Sequence, residues 1–516
     1  MLLTKQQIIA WSLLLFFLSS FESKLAGQVR VGPDRPNVIF IFPDQYRNSS
    51  LGIWSQPGYQ AHLPGEADPV STPALDKMAA EGVVFNRAVS NFPLCSPYRA
   101  MLVSGRYPNQ NGVEANCRKD RDASLKSDAT CVTDVFAAQG YQVSYFGKVH
   151  WLKNEPLFNE DSTYVGTVES PGGHYINGYD TYLPPGPDRH SIDYMFQVLR
   201  DDHFDPLVYS SDPKLIEGKS DGELHKPRRF SAEVESEAII KYLENTHGQR
   251  NADQPFFMIW SLNPPHNPWD EQSTKMEFYD QYTENGDVQL DKLLTRENAD
   301  PEAGHYAPYY FANVSAVDHY IGQVLDKLED MGLDENTIVV FSSDHGEMLG
   351  SHSRQGKNVP ETESLNIPFM IKWGNRLQPR VVDRIVNVPD VMPTLLGLSG
   401  LGEAIPDEVQ GDDFSELILN PDSKQAGPEA ALIMGYNYRG VYNGRYTFVV
   451  EEKKKQVKNV FCYDNQKDPY QLNRLSTKEM GRRLEREMKT MLVDLLVASK
   501  DRWVKQQIGS DYLTYP

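Results

Sequence analysis

Short runs that are apolar throughout alternate along this chain with runs whose apolar residues recur every three or four positions. NVIFIF (residues 37–42) is apolar on both faces and rich in β-branched residues, which predicts a strand buried on both sides. It ends in Pro43-Asp44-Gln45. Ser71-Thr72-Pro73 then supplies a capping residue and a first-turn proline for a helix. Leu75, Met78 and Ala79 form its inner face, and Gly82 stops it. The alternation repeats three times. Residues 133–138 read as a helix closed by Gly140, followed by the strand YQVSYF (141–146) and Gly-Lys-Val-His. Residues 231–244 read as a helix, followed by FFMIWSL (256–262) and Asn-Pro-Pro-His. Residues 309–331 read as a long helix, followed by TIVVF (337–341) and Ser-Ser-Asp-His-Gly-Glu.

Four buried strands interleaved with helices predict an α/β fold with a large, mainly parallel sheet flanked by helices. Each strand ends in Asp, His, Lys or Gln, and ligands of open α/β sheets sit beyond the carboxyl ends of the strands. Residues some 300 positions apart are thus expected to meet there. The stretch between Lys153 and Lys226 is rich in Gly, Pro, Tyr and Asp with little periodicity, and reads as long loops over that site. After Gly411 the pattern changes. VYNGRYTFVV (441–450) predicts a hairpin with an Asn443-Gly444 turn, and residues 474–503 an amphipathic terminal helix. A smaller C-terminal α+β domain is therefore expected over residues 405–516, after a larger α/β domain over 28–404.

The first residues stand apart. Lys5 precedes an apolar run over residues 8–18, then small residues near Ala26 and Gly27. The run is shorter than the roughly 20 residues a membrane helix needs. It predicts a signal peptide over residues 1–27, and hence a secreted or periplasmic protein with no membrane span in the mature chain.

Charge narrows the partners. Fifty-one basic against 71 acidic residues give −20, which disfavours nucleic acid but allows a locally positive pocket for an anion. Four cysteines in 516 residues are too few for a disulfide scaffold. Cys117 and Cys131 are a plausible pair, since export permits disulfides. Asn48 and Asn313 begin glycosylation sequons. Neither is expected to be used, and a glycan at Asn48 would crowd the strand ends.

CSPYRAMLVSG (95–105) carries the sharpest chemistry. Ser96 can cap a helix whose first turn begins at Pro97, with Gly105 ending it. Cys95 then lies just before a helix N-terminus, where free N–H groups favour negative charge. Arg99 adds a planar donor for an anion. A thiolate nucleophile or an inert buried cysteine would each fit this setting taken alone.

The stretch resembles the Cys-x-Pro-x-Arg signature of the type I sulfatases, members of the alkaline phosphatase-like superfamily. TPALD (72–76), GRYP (105–108), FGKVHW, PPHNP, SSDHGEMLGSH, VPDVMPTLLGLSG and CYDNQKDP extend the likeness from about residue 36 to 475. The resemblance implies that Cys95 is oxidised to formylglycine (3-oxoalanine) by a formylglycine-generating or anaerobic maturation enzyme. It implies one Ca2+ ion at Asp44, Gln45, Cys95, Asp344 and His345, with Gln45 and His345 standing where many relatives carry Asp and Asn. In that scheme a hydrated formylglycine hydroxyl attacks sulfur, the ion and Arg99 stabilise the added charge, and the second hydroxyl then lets sulfate leave. Lys148 and His150 would orient the diol and take its proton, His266 would donate to the leaving oxygen, and Lys357 would contact the sulfate.

The alcohol half is less determined. Arg189 and His190, in LPPGPDRHSIDY, resemble inserts in bacterial sulfatases acting on carbohydrates. Arg228 and Arg229, in HKPRRF, could meet further sulfates of a polymer. The expected substrate is a sulfated carbohydrate, an algal carrageenan or ulvan type. Two alternatives stand beside it: a phosphate or phosphonate ester hydrolase of the same superfamily, and a sulfated-glycan binding protein without catalysis.

Overall fold

The computed structural model describes residues 35–118, 121–153, 180–199, 203–454 and 456–505. The expected signal peptide lies outside them. From Asn37 onward the chain gathers into one compact unit.

The four expected strands form and lie side by side. They are β1 (Asn37–Ile41), β3 (Gln142–Gly147), β6 (Phe256–Ser261) and β7 (Thr337–Phe341). β1 is central, paired in parallel with β6 through Ile39–Met258 and with β7 through Ile39–Val339. Among the described residues the sheet has ten strands in the order β10-β2-β9-β7-β1-β6-β3-β4-β5, with β8 paired to β2. The added strands are β2 (Val83–Val89), β4 (Tyr194–Leu199), β5 (Leu207–Ser210), β8 (Asn366–Ile367), β9 (Met370–Trp373) and β10 (Arg380–Asn387). β9 runs antiparallel to β2 and β7, and β5 antiparallel to β4. β4 and β5 correct the expectation of unbroken loops between Lys153 and Lys226. Every residue of YMFQVL in β4 is buried, so a short core strand was hidden among turn-forming residues; residues 154–179 lie outside the described set.

β1 shows how the layers form. Val38 and Phe40 join one core, and Ile39 and Ile41 the other, as the period of two requires. Helices α1 (Pro73–Ala80), α4 (Ser231–Leu243) and α5 (Ala307–Asp330) cover the second face. Helices α2 (Cys95–Ser104) and α3 (Val132–Ala138) cover the first. That first core runs on without a break into the C-terminal sheet, since it holds Leu396, Leu432 and Phe448 together.

The second sheet is antiparallel, in the order β11 (Ala431–Met434), β12 (Tyr438–Tyr442), β13 (Tyr446–Lys453), β14 (Gln456–Asp464) and β15 (Leu475–Ser476). The hairpin expected at Asn443-Gly444 forms between β12 and β13. Its central residues are Gly444 and Arg445, because Tyr442 pairs with Thr447 and Asn443 N–H donates to Tyr446 O. Gly444 supplies φ 84° at the first central position. Helix α6 (Thr477–Ala498) follows, broken at Gly481, whose φ of 72° and ψ of 158° are not helical; Ser476 and Glu479 cap its first turn, and the stretch beyond the break buries Met488, Leu492 and Leu496 against the sheet. No helix among the described residues is long and apolar enough to cross a membrane.

Candidate active site

Helix α2 begins at Cys95 with Leu94 as its cap, two positions earlier than the sequence suggests. Ser96 does not cap. Its N–H donates to Asn116 Oδ1 at 3.1 Å, and its hydroxyl accepts Cys117 N–H at 2.9 Å. These bonds tie the loop after α2 to the residue beside Cys95. The cysteine still occupies the first turn, and Gly105 closes the helix at φ 62°.

The strand ends converge on it. Asp44 follows β1, Lys148 follows β3, and Asp344 and His345 follow β7; all are buried. Cys95 Sγ lies 3.3 Å from His345 Nε2 and 3.7 Å from Asp44 Oδ1. His345 Nε2 lies 3.6 Å from Asp44 Oδ1 and 3.6 Å from Asp344 Oδ1. One Arg99 nitrogen bridges the other two oxygens, at 3.1 Å from Asp44 Oδ2 and 3.3 Å from Asp344 Oδ2. Lys148 Nζ lies 3.0 Å from Asp44 Oδ2. The second Arg99 nitrogen donates to Lys148 O and Ser261 Oγ, and the guanidinium rests 4.9 Å over the Phe42 ring.

Gly147 makes the Lys148 turn possible. A Cβ there would lie 1.9 Å from Ser261 O, so only glycine lets the end of β3 lean on β6 and send Lys148 towards Asp44.

Electrostatics divides these groups by role. Burial alone would raise the Asp44 pKa, but Lys148, His266, Lys357 and Arg99 outweigh it and hold Asp44 well below the usual carboxylate range. Asp344, also buried and facing the Asp44 charge, is pushed up to about 7. Burial and then Asp44 push the Cys95 thiol up to about 12, so it is not a ready thiolate. Burial, reinforced by Lys357, pushes His345 well below its ordinary value. Its Nδ1–H donates to Gly346 O at 2.9 Å, which leaves the Nε2 lone pair facing Cys95 and the two carboxylates.

A second ring of residues sets the remaining cation. Lys357 Nζ donates to Gln45 Oε1, and Gln45 Nε2 donates to Glu347. Gln45 N–H donates to Asp344 Oδ1 at 2.9 Å, with Gln45 held at φ 67°. Lys357 stays protonated: burial alone would lower its pKa, but Cys95, Asp44 and Asp344 outweigh it. His266 is buried, donates its Nδ1–H to Asn267 O at 2.8 Å, and lies close enough to act on the Asp44 and His345 charges. His150 is buried two residues beyond Lys148, at φ 52°.

Two carboxylate oxygens, one imidazole nitrogen and one sulfur form a group that could hold a metal ion, and of these only the carboxylates are hard donors. The Asp44 and Asp344 Oδ1 atoms and His345 Nε2 converge with Cys95 within 4.8 Å of one another. Burial first, and then the Asp44 charge, raise Asp344 even beside Arg99, and a divalent cation between the two carboxylates would favour both ionised forms. The Gln45 oxygen, already accepting from Lys357, borders this group.

The other expected substrate contacts have their bonds elsewhere. Arg189 is buried and donates to both Asp221 oxygens at 2.9 and 2.8 Å. His190 lies 3.4 Å from Asp134. Arg229 pairs with Glu233 and Glu237 on α4, and Arg228 is exposed. None of these contacts is with the Cys95 group. Cys117 and Cys131 do not pair: all four cysteines are free and buried. Cys131 stands at the N-cap of α3, its N–H donating to Asp134 Oδ2 at 2.9 Å. Asn48 and Asn313 are buried. Sequence reasoning gave no role to Ser261 or Glu347. Glu347 stands in the quoted SSDHGEMLGSH, but only its contacts reveal its work.

A family model described as Sulfatase matches residues 36–401. Another, described as N-sulphoglucosamine sulphohydrolase, C-terminal, matches residues 350–498. The endo-4-O-sulfatase of Bacteroides thetaiotaomicron is 38% identical to this chain over 95% of it and 98% of that protein. The ulvan-active sulfatase of Formosa agariphila is 32% identical over 89% of this chain and 81% of its own. A solved structure described under the metabolism of multiple glycosaminoglycans by B. thetaiotaomicron superposes with a TM-score of 0.86 at 36% identity, covering 93% of this chain and 100% of that one.

Proposed function

The chain belongs to the sulfatase family, and from that premise we propose that it removes sulfate from a polyanionic polysaccharide through an oxidised Cys95 and one calcium ion. The observation that carries the reading is the convergence of Cys95, Asp44, Asp344 and His345 beside Arg99, Lys148 and Lys357. A buried neutral thiol is a poor nucleophile, which favours maturation to formylglycine over direct thiolate attack. Formylglycine would supply a hydrated aldehyde, with one oxygen to attack sulfur and a second hydroxyl whose proton loss frees sulfate. A calcium ion at Asp44, Asp344 and His345, with Gln45 at its edge, would polarise the sulfate oxygens.

The chain's own residues do the rest. Arg99 is fixed by Lys148 O, Ser261 and both carboxylates, so its charge is preorganised against the sulfate. Lys148 and His150 hold and accept the proton at residue 95. His266 delivers a proton to the leaving oxygen, and Lys357 contacts the transferred group.

For the substrate, the endo-4-O-sulfatase relative, nearly full-length at 38% identity, favours internal 4-O-sulfate esters, and the solved neighbour described under glycosaminoglycan metabolism, at 36% identity, favours a glycosaminoglycan chain. The ulvan-active relative at 32% keeps the algal reading as a second one. Arg228 remains a candidate contact for distant sulfates.

The test is sulfate release from 4-O-sulfated glycosaminoglycan, ulvan and carrageenan, as polymers and oligosaccharides, alongside phosphate and phosphonate esters. Release from a sulfated polysaccharide is expected, with an aldehyde mass on the residue-95 peptide and no turnover by Cys95→Ala. Full activity in Cys95→Ala would sink the mechanism. Faster phosphate or phosphonate hydrolysis would replace the substrate class.

A further inference from the structure

Tyr436 sits in the turn between β11 and β12 and is 41% exposed, among few large apolar side chains left open in the described residues. Its ring is not loose. Phe92, itself buried, meets it edge-on at 5.8 Å and 78°. Arg121 donates to the Tyr436 hydroxyl at 2.5 Å, with its guanidinium 5.3 Å from the ring centre. The ring is thus held in one orientation while the residue stays 41% exposed, and the Arg121 guanidinium lies over it.

Both parts are tied to the segment that carries Cys95. On one flank, Met434 N–H donates to Asn91 O at 2.7 Å, and Asn91 Nδ2 donates to Leu432 O at 2.8 Å. These bonds fasten the Tyr436 turn four residues from Cys95. On the other flank, the Ser96 bonds hold Asn116 and Cys117, and Cys117 lies four residues before Arg121 in the sequence. Phe92 lies three residues from Cys95, no more than about 11 Å along the chain. The Lys357 loop docks on the same segment, through Asn358 N–H to Pro93 O.

We infer that Tyr436 and Arg121 form a saccharide subsite beside the reacting sulfate, taking a neighbouring anionic sugar ring. The ring's C–H face rests on Tyr436, and its carboxylate or second sulfate meets Arg121. The site would thereby distinguish a ring within a sulfated chain from a bare sulfate ester. This rests on the polysaccharide reading above, which it deepens.

Two measurements separate the subsite from that reading. The first is binding of defined sulfated hexasaccharides, glycosaminoglycan and ulvan, by calorimetry in a Cys95→Ala background. The second is the ratio of kcat/KM for the bound hexasaccharide to that for an aryl sulfate. Adding Tyr436→Ala is expected to weaken hexasaccharide binding about tenfold and to lower the kcat/KM ratio equally, chiefly through KM. Tyr436→Phe should keep both within about twofold, because the ring remains. Arg121→Gln should weaken binding and flatten its dependence on salt. Hexasaccharide binding within twofold of the parent in Tyr436→Ala with an unchanged Tm, or an equal loss in Tyr436→Phe, overturns the subsite. If Tyr436→Ala disturbs the fold, the Arg121→Gln result decides in the same way. Binding that depends on Tyr436 without any sulfate release by the wild type supports the subsite and overturns the catalytic reading. No binding of either hexasaccharide by the parent overturns the subsite.

Discussion

The Glu347 carboxylate accepts from Tyr306 Oη at 2.6 Å, Gly356 N–H at 2.7 Å, Leu349 N–H at 3.1 Å and Gln45 Nε2. Through Gln45 it sets Lys357, and through Gly356 it sets the loop that carries Lys357. It is a positioning residue. Glu347→Gln places an amide N–H2 among donors that need an acceptor. At least one bond is lost in a fully buried place, at a cost of about 2 kcal/mol. Activity should fall further than stability does: a displaced Lys357 is expected to lower kcat about 10- to 100-fold, with KM changed less. Steady-state kinetics with a thermal melt checks this, and an unchanged kcat would remove Glu347 from the positioning network. The same residue shows where sequence reading stops. Cys95, Arg99, Asp44 and Asp344 were legible because each lies in a contiguous motif at a strand or helix end. Glu347 acts on Gln45, 302 positions away, and no local pattern records that. Arg189 and Arg229 show the converse. A guanidinium awaiting substrate and one already paired with Asp221 or Glu237 look alike in sequence, and only the partners separate them.

At the scale of elements, the strands that carry the site were legible because they are buried on both faces and bracketed by long amphipathic helices. The rest of the large sheet was not. β4 and β5 lie in Gly- and Pro-rich text, and the antiparallel β9 breaks the alternation that announces a parallel sheet. The pairing of α4 with β6 also holds a titrating group that no motif marks. Glu235 is fully buried, accepts from Trp260 Nε1 at 2.7 Å, and its Oε1 has no hydrogen-bond partner. Burial pushes its pKa up to about 8. Between the unfolded value near 4.5 and about 8, the folded chain therefore holds a proton that the unfolded chain has lost. Its contribution to stability is fully present below about pH 4.5 and declines as pH rises through that window. Glu235→Gln keeps an acceptor for Trp260 and removes the titration. Its Tm relative to wild type should rise steadily from pH 5 to pH 8. Parallel Tm–pH curves for the two proteins would show that Glu235 is ionised in the fold.

The whole molecule sets its site against its own surface. The chain carries −20, while Arg99, Lys148 and Lys357 concentrate positive charge at the strand ends. A compact unit running from Asn37 onward has a radius of gyration of about 23 Å. At 10 mM salt the screening length is about 30 Å, so an approaching polyanion feels the summed negative field. At 150 mM it is about 8 Å, and only the groups around the mouth act. Salt therefore removes long-range repulsion before it weakens local attraction. For a sulfated polymer, kcat/KM is expected to rise between 10 and 150 mM sodium chloride and to fall again towards 1 M, where the screening length drops to about 3 Å. An aryl sulfate, with a single charge, should show a shallower rise. Stopped-time sulfate release across that series, at constant pH and saturating calcium, measures both limbs. A decline that starts from the lowest salt would mean the cationic mouth dominates the field at every distance, and that the acidic balance of the chain does not reach the substrate at all.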